Sequence, residues 1–290
     1  MPAEGVNVTG KLGIIAGGGD LPAHIARHAK SAGREVFILG VLGFVAKDLL
    51  EGYDSRELSI GETGAQIRAL KDACVEELCF AGNVKRPNFK NIKLDGKGLK
   101  VLPKVLAAAG RGDDALMRTM LNIFEREGFR IVGADEVLED LLAPRGALGA
   151  LSPSAEDWPD IRRAAQAAAE IGRLDIGQAA VSCRGLILAV EAQEGTEQML
   201  ARCADLPAEI RGSTDNRTGV LVKRPKPGQE RRIDLPTIGV ATVRQAESAH
   251  LSGIALEAGS ALILDMGAVR RAADDAGLWI YGFQPMELDG

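Results

Sequence analysis

A short apolar segment that ends in three glycines and leads directly into a helical pattern limits the fold of this chain most. The segment KLGIIA begins at Lys11, the glycines are residues 17–19, and the pattern LPAHIARHAKSAG follows. Three further apolar segments of the first half, REVFILGVLG, EELCFAGNV and FRIVGA, alternate with helical patterns. Apolar strands separated by helices are typical of a parallel sheet covered on both faces. The sequence therefore predicts an α/β fold, with an N-terminal Rossmann-like domain over residues 1–145.

The second half of the chain predicts a different domain. Residues 143–154 are small and rich in Gly, Pro and Ser, which indicates a linker. A long helix is expected from Glu156 to Ile171, followed by two strands joined at Arg184-Gly185 and by further helices and strands. A length of 290 residues suits two modest domains. We therefore predict a C-terminal mixed α/β domain over residues 146–290.

The composition is that of a globular protein with a substantial apolar core. Hydrophobic residues make up 46% and charged residues 26% of the chain, and the net charge of −5 disfavours nucleic acid as a partner. No apolar run approaches the roughly 18 residues of a membrane span, and the N-terminus lacks the features of a signal peptide. We expect a cytoplasmic protein. The cysteines (Cys74, Cys79, Cys183 and Cys203) lack C-x-x-C spacing and are predicted to be buried thiols.

The glycine segment AGGGDLP is a candidate binding element. A strand that ends in glycines and opens a helix lets backbone N–H groups approach a phosphate, and Asp20 stands where a helix N-cap belongs. The spacing matches neither the dinucleotide fingerprint nor the P-loop. A tight strand–helix turn that needs no ligand is the alternative.

Two segments concentrate positive charge. Residues 85–104 carry seven cations against the single acid Asp95, after a predicted strand, where open α/β sheets bind ligands. This excess favours an anion or an anionic membrane surface. A second segment, residues 223–239, places cations around three prolines and ahead of Asp234; these cations are Lys223, Arg224, Lys226, Arg231 and Arg232. Because prolines stiffen loops, this segment is a candidate site for an anionic substrate, and a solvated basic loop is the alternative in both cases.

Acidic residues supply the third candidate element. Asp113 and Asp114 precede an apolar helix, where helix capping accounts for one carboxylate. The second carboxylate is a candidate ligand for a divalent ion, although two adjacent acids do not make a metal site by themselves. No Ser/His/Asp or Cys/His arrangement indicates a covalent nucleophile. The abundance of Asp, Glu, Lys and Arg fits metal-assisted hydrolysis of a phosphoanhydride.

Together, the segments KLGIIAGGGDLP, RGDDAL, DIGQAAV, EAQEGT and KPGQERRIDLPTIG resemble one enzyme family, from Lys11 to about Phe283. It is the non-calcineurin-like, LpxI-type family of UDP-2,3-diacylglucosamine pyrophosphatases of lipid A biosynthesis. The resemblance implies Mg²⁺-dependent hydrolysis of UDP-2,3-diacylglucosamine to UMP and 2,3-diacylglucosamine 1-phosphate. It also implies a homodimer and two domains that hold the lipid substrate between them. Because the product returns to the membrane, we expect peripheral association with the cytoplasmic face of the inner membrane through residues 85–104.

The same resemblance assigns roles to individual residues. Asp234 is the implied essential acid and, with Asp114, a candidate metal ligand. Lys223 and Lys226 are expected to meet the diphosphate, and Gln229 is expected to help position it. The residues expected to bind substrate are Gly17, Gly18, Gly19, Asp20, Asn83, Lys85, Thr196 and Thr237.

Two other functions are compatible with parts of the sequence. One is a nucleotide-sugar-binding or dinucleotide-binding Rossmann protein without hydrolase activity, which the failed fingerprint spacing disfavours. The other is a ligand-free structural or regulatory partner protein.

The chain also departs from the family motif at Glu230, where the family has an aspartate.

Overall fold

The computed structural model describes residues 10–84, 92–228, 230–232 and 235–289. These residues form two compact units. The first unit contains the described residues of 10–138 together with 230–232. The second contains residues 139–228 and 235–289. Residues 230–232 therefore belong to the first unit, although in the sequence they lie between two segments of the second.

The first unit alternates strands with helices. In chain order its elements are β1 (Lys11–Ala16), α1 (Leu21–Ser31), β2 (Val36–Val41), α2 (Lys47–Glu51), β3 (Asp54–Leu58), α3 (Thr63–Asp72), β4 (Val75–Ala81), α4 (Gly96–Ala109), α5 (Asp113–Glu125), β5 (Arg130–Ile131) and α6 (Ala134–Val137). The described strands pair in parallel in the order β3-β2-β1-β4-β5. This is the predicted Rossmann-like sheet. Its strand order reverses between β1 and β4, and open α/β sheets bind ligands beyond the carboxyl ends of the strands at such a point.

The apolar strands were predicted and one polar strand was not. Leu12 and Ile14 of β1 are fully buried, as a central parallel strand requires. By contrast, β3 has the sequence DSREL, pairs with β2 alone at the sheet edge, and has no buried residue. Because β3 lacks an apolar pattern, it was not predicted. The segment EELCFAGNV, predicted as the third strand, is therefore the fourth.

The second unit is a mixed α/β structure, as predicted. Its elements are a 3₁₀ helix (Glu139–Leu141), β6 (Gly146–Ala147), α7 (Trp158–Arg173), β7 (Ala179–Cys183), β8 (Leu186–Val190), α8 (Gly195–Ala204), α9 (Ala208–Arg211), β9 (Val220–Lys223), β10 (Thr237–Ile238), α10 (Val240–Ser248), β11 (Gly253–Glu257), β12 (Leu262–Ile263), α11 (Met266–Asp275), β13 (Trp279–Phe283) and a 3₁₀ helix (Pro285–Leu288). The main sheet has the order β6-β13-β11-β9-β7-β8, and β10 pairs with β12 separately. Strands β9, β11 and β13 are parallel, whereas β6 and β7 run antiparallel to their neighbours β13 and β9.

Three strands of this unit correct the sequence analysis. Within the predicted linker, β6 pairs antiparallel with β13 through Gly146 and Gly282, so part of that segment is a sheet edge. The domain boundary at residue 146 stays a prediction, whereas the second compact unit begins at Glu139. Strands β9 and β13 were not predicted at all. Because β9 ends at Lys223, that lysine lies in a buried strand and not in a loop.

The predicted hairpin at Arg184-Gly185 is confirmed. Both residues have positive φ angles, 51° and 78°, as a two-residue type I′ turn requires. The carboxylate of Asp160 on α7 is buried and accepts hydrogen bonds from the N–H groups of Arg184 (2.7 Å) and Gly185 (2.8 Å) and from the hydroxyl of Ser182 (2.5 Å). A charged acceptor shared by three donors fixes the hairpin, and with it the course of β8.

The cysteines are free thiols, and three of them are buried as predicted. Burial raises the pKa of Cys79 to about 12 and that of Cys203 to about 11, so neither is a reactive thiolate near neutral pH. The prediction is wrong for Cys74, which is exposed. It occupies the turn after α3 with a φ of 56°, a turn conformation that the apolar residues around it did not indicate.

Candidate active site

At the point where the first sheet reverses its strand order, the backbones of two loops are joined. Gly18 N–H donates to the Asn83 carbonyl and Asn83 N–H donates to the Gly18 carbonyl, both at 2.9 Å. Gly17 N–H donates to the Ala81 carbonyl at 2.8 Å. The predicted substrate-binding residues Gly17, Gly18 and Asn83 therefore lie together at the edge where this fold binds ligands.

The glycines at this edge are required by close packing. A Cβ atom on Gly17 would lie 2.7 Å from the Asn83 carbonyl oxygen, and one on Gly82 would lie 2.5 Å from that of Gly18. Gly19 has a φ of 85°, which favours glycine for its backbone alone. The N–H groups of Gly17 and Gly18 were expected to approach a phosphate, but they donate to carbonyls of the protein. Direct substrate contact by these residues stays a prediction.

Polar side chains gather at one edge of the second sheet. Strands β9 and β11 are parallel, so Lys223 and Glu257 both stand at their carboxyl ends. Strand β7 runs in the opposite direction, with Ala179 paired to Lys223, and β8 returns antiparallel to β7. The start of β7 and the end of β8 therefore lie at this same edge. We call it the lysine edge; its polar residues are Gln178, Glu191, Thr196, Lys223, Arg224 and Glu257.

Hydrogen bonds link the most buried of these residues. Lys223 is 5% exposed and Glu191 is 7% exposed. Lys223 Nζ donates to Thr196 Oγ1 (2.9 Å) and to the carbonyl of Thr237 (3.1 Å). Thr196 Oγ1 is also 2.5 Å from Glu191 Oε1, while Glu191 Oε2 accepts from the N–H of Gln178 (3.0 Å). The predicted site residues Lys223, Thr196 and Thr237 are thus brought together. Glu191 was recognisable in the sequence only as a polar residue near a strand end.

The cations that follow β9 are paired with carboxylates. Arg224 lies 2.9 Å from Glu257, and Lys226 Nζ lies 2.7 Å from Asp175 Oδ1. Asp175 has a φ of 55°, an unusual conformation for a non-glycine residue. The sequence showed this segment only as an excess of positive charge. Its acidic partners come from distant positions, which the sequence alone could not connect.

Gln178 shows unused hydrogen-bonding capacity at the lysine edge. Its side-chain oxygen is buried and has no hydrogen-bond partner among residues that the structure describes. A buried acceptor without a donor is unfavourable in an otherwise well-paired protein. A ligand hydroxyl or N–H group would satisfy it.

In the first unit, α5 holds the short segment of residues 230–232. Asp114 Oδ1 accepts from the N–H of Glu230 (3.1 Å), and Asp114 Oδ2 accepts from Arg118 Nε (2.7 Å). Arg232 bridges Glu230 (2.9 Å) and Glu125 (2.7 Å). The hydrogen bond from Arg232 holds the pKa of Glu230 below its usual range. Asp114, a candidate metal ligand from the sequence, therefore anchors the segment that leads to residue 234.

The described residues do not by themselves fit a magnesium site. Across the described ranges, no group of three or more His, Cys, Asp or Glu side chains could hold a metal ion. Both carboxylate oxygens of Asp114 accept hydrogen bonds, one of them from a guanidinium group. Three predicted site residues, Lys85, Gln229 and Asp234, lie outside the described residues.

Comparison with known proteins gives consistent matches over almost the whole chain. The family model of the LpxI N-terminal domain matches residues 11–141, and that of the LpxI C-terminal domain matches residues 144–281. The chain is 53% identical over 277 residues to the UDP-2,3-diacylglucosamine pyrophosphatase LpxI of Caulobacter vibrioides. This alignment covers 96% of the present chain and 99% of the relative.

These matches correct the family assignment made from the sequence motifs. That assignment described a non-calcineurin-like group of UDP-2,3-diacylglucosamine pyrophosphatases, with LpxI as its type. The matching models instead define LpxI as a distinct enzyme family with N- and C-terminal domains of its own, with which the LpxI-type label is consistent. This chain belongs to the LpxI family.

Proposed function

We propose that this protein hydrolyses UDP-2,3-diacylglucosamine to UMP and 2,3-diacylglucosamine 1-phosphate, a step of lipid A biosynthesis. The observation that carries the proposal is the 53% identity, over 96% of the chain, to a protein named as a UDP-2,3-diacylglucosamine pyrophosphatase. The matches to both LpxI domains support it, because they cover the glycine turn (residues 16–22) as well as the lysine edge.

The proposed reaction requires positive charge near the diphosphate. Water adds to one phosphorus while the bridging P–O bond breaks, and the negative oxygens of the diphosphate repel an incoming nucleophile. We propose that Lys223 and Lys226 reduce this repulsion. Lys223 is held by Thr196 and Lys226 is oriented by Asp175, so both cations are fixed before substrate arrives. Fixed charges of this kind stabilise a transition state without reorganising during the reaction.

Asp234 remains the proposed essential acid, and Mg²⁺ dependence remains part of the proposal. Both are implied by the family resemblance. The segment immediately before Asp234 is tied to α5 by Asp114 and Arg118, as a loop that must place a reactive carboxylate requires. The role of Asp114 in this proposal is to anchor that loop.

The test is UMP release from UDP-2,3-diacylglucosamine in detergent, with Mg²⁺ and with excess EDTA. We expect turnover by the wild-type protein and a loss on the order of 10²–10³-fold in Asp234→Asn, with folding and substrate binding retained. Asp215→Asn is the matched control, because Asp215 is exposed, and it should keep wild-type activity. Turnover that persists in excess EDTA would contradict the proposed Mg²⁺ dependence but would not contradict the proposed hydrolase activity. If folded wild-type protein releases no UMP, the proposed function is contradicted.

We also propose that α4 contacts a membrane surface. Leu99 and Leu106 on this helix are 62% and 45% exposed, and Lys100 and Lys104 beside them are exposed as well. Exposed leucines flanked by lysines are typical of helices that lie at an anionic lipid surface. Of the predicted basic segment, Lys93 is instead paired with Glu62 at 2.6 Å. The lysines that support this proposal therefore belong to α4.

Peripheral contact is the relevant mode to test. A membrane-spanning helix would need to be longer or more apolar than any helix within the described residues. Vesicles containing phosphatidylglycerol should retain the wild-type protein on flotation and retain less of Leu99→Asp, because the charge opposes insertion of that face. The control is Leu174→Asp, at a position that is 72% exposed in the second unit. Equal retention of wild type and Leu99→Asp would contradict the α4 assignment.

The homodimer that the family resemblance implies remains a prediction, and light scattering can test it.

A further inference from the structure

We infer that Glu191 is a positioning residue for the reaction, which acts through Thr196 to fix the ammonium group of Lys223. The inference rests on the proposed function, in which Lys223 meets the diphosphate. It gives a role to a buried carboxylate at the lysine edge and changes the expected role of Thr196 from substrate binding to positioning.

The hydrogen-bond directions along this chain of residues follow from the number of protons. A threonine hydroxyl carries one proton, and a lysine ammonium can only donate. At 2.9 Å from Lys223 Nζ, Thr196 Oγ1 therefore accepts, and its own proton is directed to Glu191 Oε1 at 2.5 Å. The carboxylate thus sets the rotation of the hydroxyl, and the hydroxyl presents its lone pair to Lys223.

The two charged groups joined by Thr196 are both buried, so each affects the stability of the other. Lys223 and Glu191 are both more than nine-tenths buried, and burial of an isolated charge is strongly unfavourable. The two opposite charges stand on either side of one hydroxyl group, so each offsets part of the cost of burying the other. Loss of the carboxylate would remove this negative charge and would leave the Thr196 hydroxyl free to rotate away from the geometry in which it accepts from Lys223.

Glu191 is itself held rigidly by the start of β7. Its second carboxylate oxygen accepts the N–H of Gln178 at 3.0 Å. The preceding residue, Gly177, packs against it so closely that a Cβ there would lie 2.1 Å from the Glu191 carbonyl oxygen. The carbonyl of Gln178 accepts the N–H of Arg224, the residue after Lys223, at 3.1 Å. A fixed carboxylate can therefore impose one position on the lysine beside it.

The experiment compares four variants in UMP release and in thermal unfolding. Lys223→Met removes the ammonium, Glu191→Gln removes the carboxylate charge, Thr196→Val removes the hydroxyl, and Thr196→Ser keeps it. We expect kcat to fall about 10- to 100-fold in Glu191→Gln and Thr196→Val, the range for losing a hydrogen bond to a charged group. KM should change less than kcat, and Thr196→Ser should remain near wild type.

A double-mutant cycle separates positioning from a general structural effect. If Glu191 acts through Lys223, Glu191→Gln should lower kcat by less than about twofold when Lys223→Met is already present, because coupled residues are not additive. A full additional loss in that background would overturn the inference. Near-wild-type kcat in both Glu191→Gln and Thr196→Val would overturn it as well. If Glu191→Gln does not fold, the Thr196→Val and Thr196→Ser pair gives the same test while the buried carboxylate and the buried ammonium group are both retained.

The failure of this inference and that of the proposed function give different results. Absence of UMP release by wild-type protein contradicts the proposed function. If Lys223→Met releases UMP as fast as the wild-type protein does, the proposed role of Lys223 is contradicted. The positioning role of Glu191 is then contradicted as well. Wild-type release that is lost in Lys223→Met but kept in Glu191→Gln and Thr196→Val contradicts the positioning role alone.

Discussion

The glycine turn of the first sheet and the lysine edge of the second are built from different chemical groups. At the first, Gly18 and Asn83 exchange backbone hydrogen bonds, and the packing leaves no room for a Cβ atom on Gly17. At the second, side chains are central, since Lys223 and Glu191 are buried charges joined through a hydroxyl. The first edge should therefore be sensitive to added volume, and the second to lost charge.

The largest effect on stability should come from a buried carboxylate at the other end of β7 from the lysine edge. Asp160→Ala leaves three donors at the β7–β8 hairpin without their shared acceptor. We expect the free energy of unfolding to fall by about 3 kcal/mol, because hydrogen bonds to a charged group are strong. Urea denaturation measures this, with Asp215→Asn as an exposed control. An unchanged unfolding midpoint would show that buried charge in this unit does not stabilise its hairpin.

Added volume at the glycine turn should have the next largest effect. Gly17→Ala forces a Cβ to within 2.7 Å of the Asn83 carbonyl oxygen, so the two loops must move apart. We expect a loss of about 1–3 kcal/mol in the free energy of unfolding, as for overpacking elsewhere, and weaker thermal protection by UMP. Gly96→Ala is the control, since a Cβ there meets nothing within 4 Å at the start of α4. Equal stability of the two variants would contradict the claim that close packing at the glycine turn excludes a Cβ atom on Gly17.

The smallest effect concerns a carboxylate of the first unit whose partners are backbone groups. Although burial alone would raise the pKa of Asp95, N–H donors from Gly98, Ala65, Gly64 and Lys97 hold it below its usual value. The stabilisation is therefore present above the unfolded pKa, roughly 4, and is lost as the pH falls through the lower folded pKa.

Asp95→Asn tests this assignment. Asp95 is the N-cap of α4, and its side chain accepts the N–H of Gly98 at 2.7 Å. Because asparagine also caps helices, at pH 7 the substitution should cost about 0.3–1 kcal/mol, the usual value for a negative charge at a helix N-terminus. Urea denaturation of wild type and variant over a pH series should show this difference shrinking below about pH 4. A difference that is constant with pH would mean that the carboxylate charge contributes nothing there.

The sequence predicted those parts of the fold that carry a strong local pattern. The buried strands β1, β2 and β4 contain apolar runs, and the Arg184-Gly185 turn has a glycine at a position of positive φ. Strand β3 was missed because an edge strand need not be apolar. Strand β9 was missed because its last residue, Lys223, looked like the start of a basic loop.

The candidate site shows the same division between local and distant information. Lys223, Thr196 and Thr237 were named from the family resemblance, and the structure places Thr196 and Thr237 within hydrogen-bonding distance of the Lys223 ammonium group. Glu191 could not be assigned, because its contact with Thr196 depends on the start of α8 lying beside the end of β8. Likewise, Asp114 accepts a hydrogen bond from the N–H of Glu230, which is 116 residues away in the chain.

The most direct test of the account is to identify the products that wild-type protein forms from UDP-2,3-diacylglucosamine, by mass spectrometry, alongside Lys223→Met. The account predicts UMP and 2,3-diacylglucosamine 1-phosphate in equal amounts from the wild type and far slower formation of both by the variant. Release of UDP with the free sugar, or no cleavage by folded wild-type protein, would contradict it.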